Sequence, residues 1–173
     1  MGACRARLER DPGERREKGA EGTGPNSCDK GKPGTKRHLI TDRQGIPLAV
    51  VLGPGNRHDT VAFEAVLDAV PEIRTPARHR RHRPQKLHAD KAYDIPRCWA
   101  ACRARRIIAR IARKRIDSSE TLGKYRWVIE RTHAWLNQYR RLIIRYERQL
   151  AHYAAFTSLA CALICWNYLT RWF

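Results

Sequence analysis

Two short apolar segments on either side of a polar turn place the strongest constraint on the fold. The segments His38–Thr41 and Ile46–Leu52 are rich in Leu, Ile and Val, a composition typical of β-strands. Between them, residues 42–45 (DRQG) have turn chemistry, and Gly45 can adopt a positive φ that a residue with a Cβ rarely takes. The sequence therefore predicts a β-hairpin over residues 38–52.

Strand and helix patterns alternate after this hairpin. A stripe of apolar residues ends before Pro71, and Asp59 or Thr60 is a suitable N-cap for it. Asp94 and Pro96 have the positions of an N-cap and a first-turn residue in a second helix. The predicted elements are a helix over 61–70, a strand over 85–89, a helix over 95–105 and a strand over 107–114. This order indicates an α/β chain with helices packed against a sheet.

The last third of the chain is predicted to be helical. Apolar residues recur every three or four positions from Leu122 to Arg148, which predicts one long amphipathic helix. A second helix, over residues 151–172, is apolar nearly all round and is therefore expected to be buried. Its uncharged part, Ala154–Leu169, has 16 residues, fewer than the roughly 20 that span a membrane. We therefore expect no association with a membrane.

The N-terminal segment has a different composition. Residues 1–35 are dominated by Gly, Pro, Arg and Glu, without a period of 2 or 3.6 residues. We expect a poorly structured basic segment over 1–35 and a folded domain over 36–173. Asp11 lies in a Pro-Gly and Arg-rich stretch in which no preceding strand is predicted.

The charge of the chain favours a polyanionic partner. There are 35 Lys and Arg residues against 17 Asp and Glu residues, a formal net charge of +18. Such an excess fits nucleic acid or an anionic membrane surface, although an Arg-rich composition also reflects genome composition. The basic runs 74–86 and 103–115 are either phosphate contacts or solvated surface. The cysteines lack the C-x2-C spacing of zinc knuckles, which favours apolar packing over metal binding.

Two acids in this basic chain are candidates for chemistry. Asp90 follows the predicted strand 85–89, at the end where α/β sheets place their ligands, and the simpler alternative is that it caps a turn. Glu130 lies on the predicted long helix, and the simpler alternative is a solvated face with an Arg126–Glu130 ion pair. The same helix face carries Arg126, His133, Asn137 and Arg140. Two carboxylates can hold Mg²⁺ through oxygen ligands, and such sites in basic surroundings are typical of phosphoryl transfer on DNA.

Six sequence blocks extend this hypothesis to a family. They are TGPN at 23–26, GTKRHLITDRQGIPLAV at 34–50, NRHD at 56–59, LHADKAYD at 87–94, RWVIERTHAWLNQYRRL at 126–142 and ALICWNYL at 162–169. By these blocks and their order, the chain resembles DDE transposases of bacterial insertion sequences, specifically the insertion sequence 5 family. Several ordered blocks are more specific than a lone Asp or a lone R-x3-E motif would be.

The resemblance implies an RNase H-like fold, a mixed sheet flanked by helices, and DNA strand cleavage and strand transfer that depend on Mg²⁺ or Mn²⁺. It implies that Asp90 is the second and Glu130 the third of three catalytic, metal-binding acids, with Arg126 beginning the R-x3-E pattern. The implied DNA contacts are Arg57, Lys91, Arg126, Arg131, Arg140 and Arg141. Related transposases have a Tyr three residues before that Arg and a Lys seven residues after the Glu, where this chain has Gly123 and Asn137.

The N-terminal part departs from the family pattern. In the family, the first catalytic Asp ends a strand just upstream of a segment like KGAEGTGPN, and Asp11 is not assigned that role here. We interpret the chain as the C-terminal catalytic part of a transposase, incomplete at the N-terminus, and expect little or no strand transfer by it alone. The alternative is a non-catalytic remnant that binds DNA or inhibits a full-length transposase. A different RNase H-like nuclease is disfavoured by the R-x3-E pattern.

The resemblance also predicts the partners of the chain and its location in the cell. Insertion-sequence ends and target DNA are the expected partners, and a homo-oligomer or an association with a full-length transposase is a further expectation. The expected location is the bacterial cytoplasm, at the nucleoid.

Overall fold

The computed structural model describes residues 2–8, 21–25, 32–74, 80–81, 83–114 and 119–171. Its strands are β1 (Gly2–Leu8), β2 (Gly24–Pro25), β3 (Pro33–Thr41), β4 (Pro47–Pro54), β5 (Ile73–Arg74), β6 (Arg80–Arg81), β7 (Lys86–Ala89), β8 (Ile108–Ile111) and β9 (Ile144–Arg145). Its α-helices are α1 (Phe63–Asp68), α2 (Pro96–Ala104), α3 (Ser119–Leu136), α4 (Arg140–Ile143) and α5 (Leu150–Thr170). Short 3-10 turns at Asp59–Ala62 and Lys91–Tyr93 precede α1 and α2. The chain is a mixed α/β chain, as predicted.

The predicted hairpin is confirmed and is longer than expected. β3 and β4 pair antiparallel on either side of the turn. The carboxylate of Asp42 closes this turn, because its Oδ1 accepts hydrogen bonds from the backbone N–H groups of Gln44 and Ile46, both at 2.8 Å. Gly45 has a φ of 84°, the left-handed conformation that glycine adopts without a Cβ clash.

β3 is the central strand of the main sheet. It pairs antiparallel with β4 on one edge and with β1 on the other, so its side chains are buried above and below the sheet. Successive side chains of a strand point to opposite faces. Lys36, His38 and Ile40 lie on what we call the first face, and Thr35, Arg37 and Leu39 lie on the second face.

The first face is covered by α1, α2 and the parallel pair of strands β7 and β8. Its core joins Ile40 to Phe63, Tyr93 and Cys98, and the rings of Phe63 and Tyr93 lie 5.4 Å apart between centroids. Burial raises the pKa of the Cys98 thiol to about 11, so the thiol stays protonated near neutral pH. Cys98 is therefore an apolar packing residue.

The second face is covered by α3, α4 and α5. Their core surrounds Leu39 with Leu136, Leu142, Tyr153 and Ile164. The hydroxyl group of Tyr153 donates a hydrogen bond to the carbonyl oxygen of Leu142 at 3.1 Å. This bond satisfies the polar end of a fully buried aromatic side chain and fastens α5 to α4.

The prediction that the last helix is buried nearly all round is wrong. One side of α5 contacts the core through Tyr153, Thr157 and Ile164, whereas Leu159 and Trp166 are 57% and 62% exposed. The length and composition of Leu150–Thr170 would allow it to cross a membrane, with 22% of its most apolar window buried. The helix packs against β4 and α3, however, as a helix of a folded domain does.

The single helix predicted over residues 122–148 is wrong in its second half. α3 ends just before Asn137, and α4 and β9 follow. The carboxamide oxygen of Asn137 accepts a hydrogen bond from Arg37 Nη2 at 2.6 Å, which ties the chain to the central strand where the helix ends. Glu130 and Arg140 therefore do not share one continuous helix face.

β9 places Arg145 in the interior of the protein. Its guanidinium donates to Thr35 Oγ1 at 2.6 Å, to the carbonyl oxygen of Glu21 at 2.7 Å and to that of Glu147 at 2.8 Å. It also lies over the Tyr153 ring, 5.2 Å from the centroid. A buried charge is tolerated only when it is paired in this way. Arg145 thus joins the second face of β3 to the segments around residues 21 and 147.

The prediction that residues 1–35 are poorly structured is wrong for its described parts. β1 pairs with β3 over six register positions, and β2 pairs with the beginning of β3. The predicted boundary at residue 35 therefore falls inside β3. The expectation that no strand precedes Asp11 is also wrong, because β1 ends at Leu8. Residues 9–20 and 26–31 lie outside the described residues.

The basic loop predicted over residues 74–86 contains paired strands. β5 and β6 pair antiparallel, and Arg80 Nε lies 3.1 Å from Glu72 Oε1. Residues 75–79 and 82 of this loop lie outside the described part of the chain.

Candidate active site and nucleic-acid contacts

Asp90 lies at the carboxyl end of β7, as predicted. Leu87 and Ala89 point into the first-face core, and the strand stops where Asp90 becomes exposed. Its Oδ1 accepts a hydrogen bond from the backbone N–H of Ala92 at 2.6 Å, so the residue caps the 3-10 turn that follows. Asp90 therefore has a local capping role and, at the same time, presents a carboxylate to solvent.

A second acid, Asp59, lies in the same region. The 3-10 turn that begins with Asp59 packs against the 3-10 turn that follows Asp90. Tyr93 lies between them: burial raises the pKa of its hydroxyl, and the negative charges of Asp59 and Asp90 raise it further. The sequence pattern indicated Asp59 only as a helix cap, although its position in the block NRHD also marks it.

Lys36 holds Asp59 in place. Its ammonium group lies 2.8 Å from Asp59 Oδ1 and donates a second hydrogen bond to the carbonyl oxygen of Arg57 at 2.6 Å. The side chain of Lys36 is 5% exposed. A buried ammonium group requires such partners, so this contact fixes the NRHD segment on the first face.

Asp94 does not cap α2 as predicted. The N-cap is Ile95, without a side-chain hydrogen bond. The carboxylate of Asp94 instead accepts hydrogen bonds from the backbone N–H of Lys114 at 2.8 Å and from Trp99 Nε1 at 2.9 Å. These two bonds lower the pKa of Asp94 and connect the segment after Asp90 to the residues after β8.

Glu130 is exposed on α3, next to two residues that anchor this helix to the β3–β4 turn. Thr132 Oγ1 donates a hydrogen bond to the carbonyl oxygen of Gly45 at 2.5 Å. Arg131 donates to the carbonyl oxygen of Gln44. Gly45 has no side chain, and this allows the close approach, because a Cβ at that position would lie 3.0 Å from Thr132 Oγ1.

Arg131 is also held between two indole rings. Its Cζ lies 4.5 Å from the ring centroid of Trp127 and 4.9 Å from that of Trp135. Trp127 and Trp135 precede and follow Arg131 by four residues, so the helix places them on the same side. This guanidinium is engaged within the protein. The contact of Arg131 with DNA stays a prediction.

The structure does not bring Asp90 and Glu130 together. Asp90 lies in the layer that covers the first face, and Glu130 lies on a helix of the second face. Asp59 pairs with Lys36 of β3, whereas the α3 residues next to Glu130 contact the β3–β4 turn. Asp90 follows β7, which pairs with β8 in a separate sheet. In the main sheet, the edge of β1 pairs with β9 and not with β7.

The described side chains do not by themselves form a complete Mg²⁺ site. Magnesium requires about six oxygen ligands in near-ideal geometry. Among the side chains that the structure describes, no group of three or more His, Cys, Asp or Glu residues could hold a metal ion.

The other predicted DNA contacts differ in exposure and in the partners of their side chains. Arg57 and Arg140 are exposed, and Lys91 is half-buried beside Asp90. Arg141 is also exposed, pairs with Glu147 Oε1 at 2.7 Å and lies over the Phe156 ring. The side chain of Arg126 lies outside the described side chains.

A basic surface extends over α2 and β8, within the predicted run 103–115. Its exposed members are Arg103, Arg106, Arg110, Arg113 and Lys114. The nearby acids of α1 are occupied: Asp68 binds Arg105 at 2.7 Å and Glu64 binds Arg97 at 2.8 Å. The exposed cations therefore keep much of their positive potential, as a phosphate-binding surface requires.

The family model of the transposase DDE domain matches residues 6–165. The chain therefore belongs to the DDE transposase family, a class of enzymes that act on DNA in recombination. It is 47% identical over 149 residues to a provisionally assigned transposase for insertion sequence element IS402 from Burkholderia cepacia. That match covers 86% of this chain and 71% of the relative. No solved structure matches the chain significantly.

Proposed function

We propose that this chain is the catalytic part of an insertion-sequence transposase that cleaves DNA strands and transfers them to a target. The observation that carries this proposal is the family match over residues 6–165, which includes both acid-bearing blocks, 87–94 and 126–142. The formal net charge of +18 and the basic surface over α2 and β8 support DNA as the substrate.

The proposed architecture is RNase H-like. Three antiparallel strands, β1, β3 and β4, come first and are followed by α1, by β7 with its terminal acid, and by α2 and β8. This order supports the proposal. The proposed catalytic domain includes β1 and β2 together with residues 36–173.

The proposed catalytic acids are Asp90 and Glu130, with Mg²⁺ or Mn²⁺ as the cofactor that this family generally uses. Asp90 already lies exposed at the end of a strand. Glu130 is exposed on α3, next to Arg131 and Thr132, which contact the turn at 44–45.

The proposed phosphate contacts are Arg57, Lys91, Arg126, Arg140 and Arg141. Arg57 and Arg140 are exposed, as residues that bind a DNA backbone must be. A homo-oligomer or an association with a full-length transposase remains part of the proposal, since strand transfer by this chain alone is expected to be weak or absent.

The function is tested by transposition of the whole locus in a bacterial host, with the DNA upstream of the Met1 codon kept in place. Insertions of a marked element into a target plasmid are counted. Asp90→Asn is expected to abolish insertion, whereas Asp68→Asn, an exposed acid of α1, is expected to retain it. Insertion at equal frequency by the Asp90→Asn and Asp68→Asn loci would show that Asp90 is not a catalytic acid.

A further inference from the structure

A small cavity lies between the end of α3 and the C-terminal turns of α5, away from the acids discussed above. Its volume is about 160 Å³. A cavity of roughly 150 Å³ accepts one benzene-sized ring, whereas drug-sized ligands occupy roughly 300–1,000 Å³. The cavity is therefore suited to a single planar ring and is too small for a nucleotide cofactor.

The walls of the cavity are aromatic. Trp135 and Tyr139 line it from the chain around the end of α3, Tyr168 lines it from α5, and Ile164 contributes an apolar surface. Trp135, Tyr139 and Tyr168 are each half-buried, so their rings are held by packing and still reach the cavity. Half-buried aromatic rings of this kind are the surfaces on which unpaired bases stack.

The rim carries hydrogen-bonding groups and one cation. Gln138 and Asn167 each offer a carboxamide with donors and an acceptor, which can pair with the edge of a base. Arg171 supplies a guanidinium suited to phosphate. None of the described residues that line the cavity is acidic.

We propose that this cavity binds one unpaired base of a DNA strand, with the ring against Trp135, Tyr139 and Tyr168 and the adjoining phosphate at Arg171. This inference rests on the proposed action on DNA and adds an unpaired base as a recognised feature of the substrate. A stacked ring explains the aromatic walls, a base edge explains the two carboxamides, and a strand backbone explains the arginine. An apolar peptide side chain would explain only the first of these.

The test compares three DNA duplexes of one sequence in the same salt: fully paired, with one extra unpaired 2-aminopurine, and with an abasic linker in place of that base. Fluorescence anisotropy of an end label measures the Kd of the whole chain for each duplex. The unpaired base is expected to tighten binding by about tenfold over the paired duplex. Stacking on the aromatic walls is expected to quench the 2-aminopurine, and the abasic linker is expected to remove the advantage.

Two variants assign the effect to the cavity. Tyr168→Leu and Asn167→Ala are each expected to reduce the preference for the unpaired base and to leave the Kd of the paired duplex unchanged. Tyr146→Leu is the matched control, because Tyr146 is 46% exposed and does not line the cavity. Asn167 is exposed on α5, so Asn167→Ala keeps the test open if Tyr168→Leu fails to fold.

The outcomes separate this inference from the proposed function. Duplex binding without any preference for the unpaired base, or a preference that both cavity variants retain, overturns the base site and leaves the action on DNA standing. Failure of the wild-type chain to bind any of the three duplexes overturns both. A preference lost in Tyr168→Leu and Asn167→Ala but kept in Tyr146→Leu supports the site.

Discussion

The ammonium group of Lys36 lies 2.8 Å from the carboxylate of Asp59 and joins the central strand to the segment that precedes α1. Lys36 is 5% exposed and Asp59 is 31% exposed. Both lie on the first face, near the 3-10 turn that Asp90 caps. A cation buried in the middle strand thus holds the acid-containing side of the molecule against the sheet.

The first prediction concerns this ion pair. Asp59→Asn is expected to lower the free energy of unfolding by about 1.5–3 kcal/mol, because a buried ammonium group loses its charged partner. Urea unfolding measures the change. The matched control is Glu64→Gln, which removes an exposed pair with Arg97 and is expected to change stability by about 0–1 kcal/mol. Equal effects of the two substitutions would contradict the structural role of Lys36.

The second prediction separates an anchoring arginine from a DNA contact. Arg131→Ala is expected to destabilise the protein by about 1.5–3 kcal/mol, since it removes two cation–π contacts and a hydrogen bond to the turn. Arg140→Ala, at an exposed position, is expected to leave Tm unchanged. Thermal unfolding of the two variants measures this difference.

The salt dependence of DNA binding completes the comparison of Arg131 and Arg140. Each lost phosphate contact reduces the slope of log K against log salt by roughly 0.9. Arg140→Ala is expected to show this reduction, whereas folded Arg131→Ala is expected to keep the slope of the wild-type chain. A reduced slope in Arg131→Ala would restore Arg131 as a phosphate contact.

The third prediction concerns pH. Burial lowers the pKa of His38, the charge of Asp59 opposes this in part, and Lys36 lowers the pKa further. The folded protein therefore binds the proton less readily than the unfolded chain does. Stability is full above the unfolded value near pH 6.5 and falls as the pH drops from there through the lowered folded-state pKa.

Urea unfolding at pH 7.5 and pH 5.5 measures this loss. His38→Asn is expected to reduce the difference between the two pH values, whereas His152→Asn, at an exposed position of α5, is expected to keep it. Asp68 and Asp94 do not confuse the result, because their pKa values are lowered from 3.8 and they lose their stabilising effect only in more acidic solution. An unchanged pH dependence in His38→Asn would rule out this histidine as its source.

The fourth prediction concerns the purified chain. It is expected to bind DNA and to show little or no strand transfer in Mg²⁺. Nicking of plasmid DNA that requires Mg²⁺ and is abolished by Asp90→Ala would contradict the expectation that a catalytic acid is missing. In that case Asp11→Ala becomes the next variant, because β1 ends at Leu8, shortly before this residue.

Local patterns were sufficient for several elements. The hairpin was predictable because Asp42 and Gly45 are turn residues whose effect depends on their own backbone, and both act as expected. The strand that precedes Asp90 was predictable because the alternation of apolar and polar residues from Leu87 to Ala89 is typical of a half-buried strand. Asp90 was therefore a candidate before the structure was known.

Other elements depended on contacts that no local pattern contains. The helix predicted over 122–148 stops at Asn137 because its side chain meets Arg37, which is distant in sequence. β1 was missed because a strand of small residues and arginines is stabilised by pairing with β3 and not by its own composition. α5 was expected to be buried because composition measures hydrophobicity and cannot show which side of a helix meets the core.

The sequence by itself determined the family and the hairpin and made Asp90 and Glu130 candidates, because each depends on residue types at fixed spacings along the chain. Only the tertiary structure decided what the basic residues do. Lys36, Arg131 and Arg145 have the same charge as exposed Arg57 and Arg140, yet their charges are engaged within the protein by Asp59, by the turn carbonyl and by Thr35. The physical reason is that a cation binds whichever acceptor is closest after folding, and that distance is set by the packing of segments far apart in the chain.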